Sequence, residues 1–318
     1  MIPILGVGLR MLGPSSCCQP SLQFPKPPLR TLWSLKFLNH NPSFYGFPIV
    51  HGRMLVRLCF YSNSYNGLNA TDAVFSVTAC NRLNATNNKF FFLPGSLSLL
   101  RNFNTAQTTE ALNYVYIVNG YLIAGDGDTL TIKFTPSTNS SNAYAFMNGV
   151  EVMFMPDIYK NDDGTLILVG QNYLIYIDNT TALENVYRIN VGGNDISPFG
   201  DTRFVYLARL HFYEVQADIT TINQRTFNIL LDNETAEFRA NVIRWAKHNG
   251  VPVYKDYAVI VPSEGPQQDL WLALHPDLST QFEYDDAILN EVEIFKLSDT
   301  DCNLIGANPI PGPQHIVD

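Results

Sequence analysis

Apolar and polar residues alternate along most of this chain after position 43. Leu130, Ile132 and Phe134 alternate with Thr131, Lys133 and Thr135. Val150 and Val152 flank Glu151, Val292 and Ile294 are interleaved with Glu291 and Glu293, and Leu270, Leu272 and Leu274 form a further row. A strand turns successive side chains to opposite faces, so a period of two with one polar face predicts half-buried antiparallel strands. The pattern predicts strands over 54–61, 129–135, 150–155, 205–213, 270–275 and 291–297. Turn residues punctuate the runs at Asn66-Gly67, Gly125-Asp126-Gly127-Asp128, Asn148-Gly149, Asp162-Asp163-Gly164 and Gly192-Gly193. Many short strands with such turns indicate an all-β sandwich. One stretch has helical spacing: Phe238, Val242, Trp245 and Ala246 share a helical face, with Asn249-Gly250 and Pro252 to stop it. Between two strand candidates it reads as a short helix or a loop.

The pattern also repeats at long range. Val56-Arg57-Leu58-Cys59-Phe60-Tyr61 recurs as Ala208-Arg209-Leu210-His211-Phe212-Tyr213, and Asn113-Tyr114 before an apolar run recurs as Asp256-Tyr257. Leu130 to Pro136 is echoed by Leu270 to Pro276, and Ala145 to Val152 by Ala287 to Ile294. The four pairs keep their order at a roughly constant offset of about 140 to 150 positions, too long for a solenoid and right for a duplicated domain. The expectation is two antiparallel sandwiches with matching topology and separate sheets. Segment 158–186 reads as a hairpin tying them together, with Thr165 to Val169 and Tyr173 to Ile177 as its arms.

Composition narrows the function classes. Of 318 residues, 46% are apolar and 15% charged, enough to bury cores and too little charge for a disordered chain. A net charge of −9 argues against nucleic acid as a partner and leaves sugars, peptides and proteins open. No run of about eighteen apolar residues occurs, so the sequence predicts no direct membrane span. Cys17, Cys18, Cys59, Cys80 and Cys302 form no metal-type spacing. Asn69, Asn84, Asn139, Asn179 and Asn233 open Asn-x-Ser/Thr sequons and are the candidate N-glycosylation sites. Ahead of Phe44, an apolar start interrupted by Arg10 gives way to a Pro-rich run. A signal peptide wants its charge before the apolar core, so residues 1–43 are expected to be an unstructured leader or an artefact of gene prediction.

Catalytic chemistry is sparse. Gly6-Val7-Gly8 opens like a phosphate loop, but Met11 stands where a third glycine belongs. Nucleophile-elbow, zinc-protease and paired-cysteine motifs are absent from the sequence. Asp126 and Asp128 read as a hairpin turn rather than a calcium ladder, and Asp285-Asp286 as a solvated strand end. His211 and His275 sit in strand runs without a visible triad partner. The remaining candidates are aromatic: Tyr114, Tyr116, Tyr121 and Trp271 could stack on a sugar ring or a peptide. No catalytic residue, cofactor or metal ligand is expected.

Asn185-Val186-Tyr187-Arg188-Ile189-Asn190-Val191-Gly192-Gly193-Asn194-Asp195-Ile196 resembles the extracellular region of plant FERONIA-type receptor-like kinases. The resemblance continues through Phe134-Thr135-Pro136-Ser137, Tyr176-Ile177-Asp178-Asn179, Val251 to Tyr257 and Asp269 to Pro276, and covers about Phe44 to Pro309. It implies two tandem malectin-like antiparallel β-sandwiches of jelly-roll type, each missing N-terminal strands: ahead of Phe44 in the first and around Asp201 in the second. The expected organisation is a leader over 1–43, module A over 44–157, a linker over 158–186, module B over 187–298 and a tail over 299–318. Cys80 to Leu93 looks like an insertion, and Tyr213 stands where the family usually has Cys. The resemblance implies a non-enzymatic ectodomain at the extracellular face of the plasma membrane or in the cell wall. Its partners would be cell-wall polysaccharide (pectin-like) or secreted rapid alkalinisation factor peptides, with a membrane-anchored co-receptor. Kinase and membrane helix would lie outside this chain. A non-functional gene-model fragment and a soluble carbohydrate-binding decoy are the alternatives.

Overall fold

The structure is a computed structural model that describes residues 5–10, 31–38, 41–84, 90–92, 96–156, 165–171, 173–178, 180–190, 204–261, 269–277, 284–306 and 308–309. The first half runs β1 (Leu5–Arg10), β2 (Thr31–Leu38), β3 (Ser43–Pro48), β4 (Gly52–Tyr61), β5 (Val74–Asn84), β6 (Phe90–Phe92), β7 (Leu97–Asn104), helix α1 (Thr105–Leu112), β8 (Tyr116–Gly125), β9 (Thr129–Pro136) and β10 (Ala145–Met155). A small hairpin, β11 (Thr165–Ile167) and β12 (Leu174–Tyr176), precedes β13 (Leu183–Asn190). The second half adds β14 (Val205–Phe212), β15 (Phe227–Leu231), β16 (Glu234–Ala240), helix α2 (Val242–Ala246), β17 (Val253–Ile260), β18 (Asp269–Pro276) and β19 (Glu291–Leu297). All six segments expected to be strands are strands.

Period-two rows face inward to make two cores. In the first, Val56, Leu58 and Phe60 of β4 pack with Phe75 and Val77 of β5, Ile132 and Phe134 of β9, and Val150 of β10. In the second, Ala208, Leu210 and Phe212 of β14 pack with Ile229 of β15, Leu270 and Leu272 of β18, and Val292 and Ile294 of β19. The second layer of the first core is the sheet β3-β9-β5-β6, with β7 also on β5, and that of the second is β1-β18-β15-β16.

The facing layers are not separate, as the sequence led us to expect. They are one eight-stranded antiparallel sheet in the order β17-β14-β19-β13-β8-β4-β10-β2. The correction comes from β13, which uses both of its edges: it pairs with β19 along its length and with β8 at Leu183↔Leu122, Glu184↔Tyr121 and Asn185↔Gly120.

The duplication extends to single hydrogen bonds. Arg57 lies opposite Glu151 as Arg209 lies opposite Glu293. Tyr61 N–H donates to Asn148 Oδ1 and Tyr213 N–H to Asn290 Oδ1, each at 2.6 Å. Asn104 caps α1 by accepting from Gln107 N–H (3.0 Å), and Asn241 caps α2 by accepting from Arg244 N–H (2.8 Å). Two residues before each cap, Asn102 and Arg239 both take positive φ. One repeat pairing is corrected. Gly120, not Asn113, lies opposite Arg57, so Gly120-Tyr121 is the counterpart of Asp256-Tyr257. Asn113 is instead the left-handed C-cap of α1, an element the periodicity did not reveal.

The leader expectation is also corrected. Segment β1 lies antiparallel on β18 as β3 lies on β9, and β2 edges β10 as β13 edges β19. A sheet edge offers a row of unpaired backbone donors and acceptors, which alternating Leu5-Gly6-Val7-Gly8-Leu9 can satisfy. Gly6-Val7-Gly8 is therefore strand, not phosphate loop. The turn at Gly125–Asp128 is likewise no hairpin, because β8 and β9 belong to opposite layers. The predicted short helix is α2, ended at Lys247, with φ 70°, rather than at Asn249-Gly250. Phe238 belongs to β16.

A test of the repeated caps follows from their surroundings. Asn241 is buried and its Nδ2 also donates to the Arg225 carbonyl (2.9 Å), whereas the Asn104 contacts are more exposed. In urea unfolding, Asn241→Ala should cost about 2 kcal/mol and Asn104→Ala about 1 kcal/mol.

Candidate ligand cleft at the joint between the modules

The joint is built on both faces of the shared sheet. On the outer face the hairpin β11–β12 lays Leu166, Leu168 and Ile177 over Leu122, Leu183 and Phe295. Val169 N–H donates to the Ala258 carbonyl (2.9 Å), fastening the hairpin to module B. From module A, buried Arg53 on β4 reaches the carbonyls of Thr181 (2.8 Å) and Asp178 (3.0 Å).

On the inner face a polar row crosses four strands between the two cores. Tyr121 of β8 faces Glu184 of β13, Glu184 faces Lys296 of β19, and Lys296 faces Tyr206 of β14. Tyr121, Tyr206 and Lys296 are buried, while Glu184 is half-buried and opens into a cleft. Burial pushes the Glu184 carboxyl above its ordinary value, and the Lys296 charge pulls the other way without cancelling it. Burial and the neighbouring Glu184 charge hold the Tyr121 and Tyr206 hydroxyls well above theirs. Lys296 Nζ donates to the Leu304 carbonyl (2.9 Å) and lies 3.7 Å from the centre of the Phe204 ring.

The cleft, about 100 Å³, has Leu99, Phe103 and Ile117 on its apolar wall and Asn119, Glu184 and Lys296 on its polar one. That volume accommodates about three waters or the tip of one side chain. Part of its wall is the segment after β19, expected only as a tail. This segment returns to module A: Leu304 N–H donates to the Ser98 carbonyl (3.0 Å), Gln107 Nε2 to the Pro309 carbonyl (2.8 Å) and Asn308 Nδ2 to the Asn102 carbonyl (2.8 Å). Leu304 itself joins the first core. Two sealed polar atoms beside Glu184, Asn119 Oδ1 and Tyr121 Oη, have no hydrogen-bond partner.

The residues singled out in the sequence fall elsewhere. Tyr121 is 0% exposed and cannot stack on a ligand, which corrects its candidacy. Tyr116 (40% exposed) and Trp271 (48%) are accessible, and Trp271 stands opposite its leucine row, but they sit on β8 and β18 in different layers. Tyr114 is half-buried after α1. His211 contacts Glu293 at 2.9 Å and Arg209 makes a two-pronged bond to Asp256 (2.7 and 2.6 Å), which are cross-strand pairs rather than a catalytic set. Asp286 is exposed yet bonded, accepting from Arg225 at 2.7 and 3.0 Å while Glu214 accepts from the same guanidinium at 2.6 Å. Asn69, Asn139 and Asn233 are exposed; Asn84 ends β5, and Asn179 lies outside the described residues. Cys59 and Cys80 are half-buried on β4 and β5 and Cys302 is an exposed thiol, with Cys17 and Cys18 outside the described residues. No cluster that could hold a metal ion occurs among the described residues, nor a helix long and apolar enough to cross a membrane. The polar row was missed because Glu184 fell inside the presumed linker. Its one trace in the sequence is Lys296, a charge continuing the inward row of Val292 and Ile294.

This architecture defines the protein as a tandem β-sandwich, two modules on one sheet with a cleft at their joint. The Malectin-like domain family matches residues 194–297. Receptor-like protein kinase FERONIA of Arabidopsis thaliana is 43% identical over 350 residues, covering 87% of this chain and 37% of its own length. A plant receptor-like kinase FER crystal structure matches with a TM-score of 0.74 and 39% identity, over 87% of this chain and 86% of that one. A chain in the crystal structure of plant peptide RALF23 in complex with FER and LLG2 matches with a TM-score of 0.72 and 37% identity, over 90% and 92%. The chain belongs to the malectin-like ectodomains of FERONIA-type receptor-like kinases. It spans less than two fifths of FERONIA, and the matched region is ectodomain, with no kinase domain covered. The aligned 350 residues exceed this chain's 318, so the alignment carries gaps where this chain has no counterpart.

The joint core makes a quantitative prediction. Leu183 is fully buried under the hairpin, so Leu183→Ala should lower unfolding stability by about 2–5 kcal/mol in denaturant titration.

Proposed function

We propose that this chain is the peptide-sensing part of a receptor at the extracellular face of the plasma membrane, taking a secreted peptide of the rapid alkalinisation factor class together with a small membrane-anchored co-receptor. The observation that carries the reading is its 37% identity, over nearly the whole of that chain, to a chain in the RALF23, FER and LLG2 assembly. In this reading the two modules are 44–157 and 187–298 with 158–186 between them, β2 adding an edge strand to the first and β1 to the second. Signalling belongs to a kinase region of the kind its relatives carry. A protein of net charge −9 suits a basic peptide, whose approach it accelerates at low salt. Exposed Asn69, Asn139 and Asn233 leave room for the glycans that a secreted chain would acquire.

A second reading, binding of pectin-like polysaccharide, is favoured by one observation: Trp271 projects from β18 with half its surface free, as a stacking platform would. Both readings require a folded unit, and the two continuous cores support that over the fragment alternative.

Calorimetric titration of the secreted, glycosylated chain separates these readings. RALF23 with LLG2 should give a saturable ternary complex, weakened at least tenfold when salt is raised from 50 to 500 mM, on the order expected for steered charge pairs. Absence of any complex would overturn the peptide reading. Binding of oligogalacturonide lost in Trp271→Ala would establish the second.

A further inference from the structure

The polar row at the joint leaves hydrogen-bonding groups unmet. Asn119 Oδ1 is sealed from solvent without a donor, and Glu184, when ionised, is acceptor-only. A proton on Glu184 supplies a donor; turning the Asn119 amide about its last torsion presents Oδ1 to it. The same proton changes what Lys296 does. Lys296 now spans the Leu304 carbonyl and the Phe204 ring, and its ammonium is drawn to Glu184 only while that carboxyl is charged.

We propose that Glu184 is the proton-sensing group of the joint: with its proton on, Lys296 holds the returning segment at Leu304 against module A, and with its proton off, Lys296 is pulled back and the chain at Leu304 loosens. The groups facing Glu184 are few. Tyr121 comes from β8, Lys296 from β19 and Tyr206 from β14; Arg101 of β7 is the other charged residue on the cleft wall, and the described residues of 304–309 carry no titratable side chain. With both tyrosines held protonated by burial, Glu184 is the acid of the row that gives up its proton first as pH rises.

The sign follows from burial. The closed joint raises the proton affinity of Glu184 above its ordinary value of 4.5. Its contribution is therefore complete below that value and is lost as pH rises through the raised one. The change is at most tenfold per pH unit, the limit for one proton. Acid tightens the joint and alkali relaxes it, whichever ligand the modules take.

Hydrogen exchange on the whole chain tests this, reading protection factors so that intrinsic base catalysis is divided out. Between pH 5 and pH 8 the Leu304 amide should lose protection, while amides of β15, remote from the joint, should not. Glu184→Gln, isosteric with the protonated acid, should keep Leu304 protected at both values. Lys296→Met should leave it weakly protected at both. Equal protection of Leu304 in the unsubstituted chain at pH 5 and pH 8 overturns the proposal, as does a pH response that survives Glu184→Gln. If Lys296→Met fails to fold, the other two measurements still decide.

Discussion

Three residue pairs between β8 and β13 hold this structure to its shape. Each module alone is a sandwich of ordinary construction, whose alternating strands bury Phe75 and Phe134 in one and Phe212 and Phe227 in the other. Two such sandwiches on a linker would be free to reorient. Because β13 accepts β19 on one edge and β8 on the other, the front layers fuse and the modules take a single relative orientation. Three pairs are a short seam beside the ten that join β4 to β8, so the seam is reinforced on both faces. The hairpin covers the outside, and the segment through Leu304 covers the inside.

The inner face of the seam cannot be filled with hydrocarbon without merging two cores. The chain instead places Tyr121, Glu184, Lys296 and Tyr206 there, one from each strand. A buried charged pair adds little net stability once its desolvation is counted, but losing one partner is costly. Such a row therefore fixes register more than it adds stability: a slip of β13 by one residue would carry Glu184 to the outer face and into the apolar cluster of Leu122, Leu183 and Phe295. The cleft opens beside this polar strip, with Asn119, Glu184 and Lys296 on its wall.

Much of the fold was legible in the residues. The rows Leu130-Ile132-Phe134 and Leu270-Leu272-Leu274 announced strands through their period, and the repeat of Arg57 and Glu151 as Arg209 and Glu293 announced two modules, because local pattern is enough to specify both. What joined them was not legible. Pairing of β13 with two partners is a choice among distant edges, and nothing in Leu183 to Asn190 distinguishes a strand with one neighbour from a strand with two. The leader escaped for the same reason, since its strand-forming alternation is satisfied by β18, far away in sequence. Candidate site residues fared worse. Tyr121 looked like a stacking platform and is a core residue, whereas Glu184 and Lys296 meet only because two strands lie side by side. Trp271 alone stands where its row predicted.

Differential scanning calorimetry of the whole chain addresses the claim that the shared sheet makes the two modules one unit. The account predicts a single transition whose calorimetric and van't Hoff enthalpies agree, because neither sandwich can unfold without breaking the layer it shares with the other. Two resolved transitions, each unaffected by Leu183→Ala at the joint, would contradict it and leave two independent sandwiches on a flexible tether.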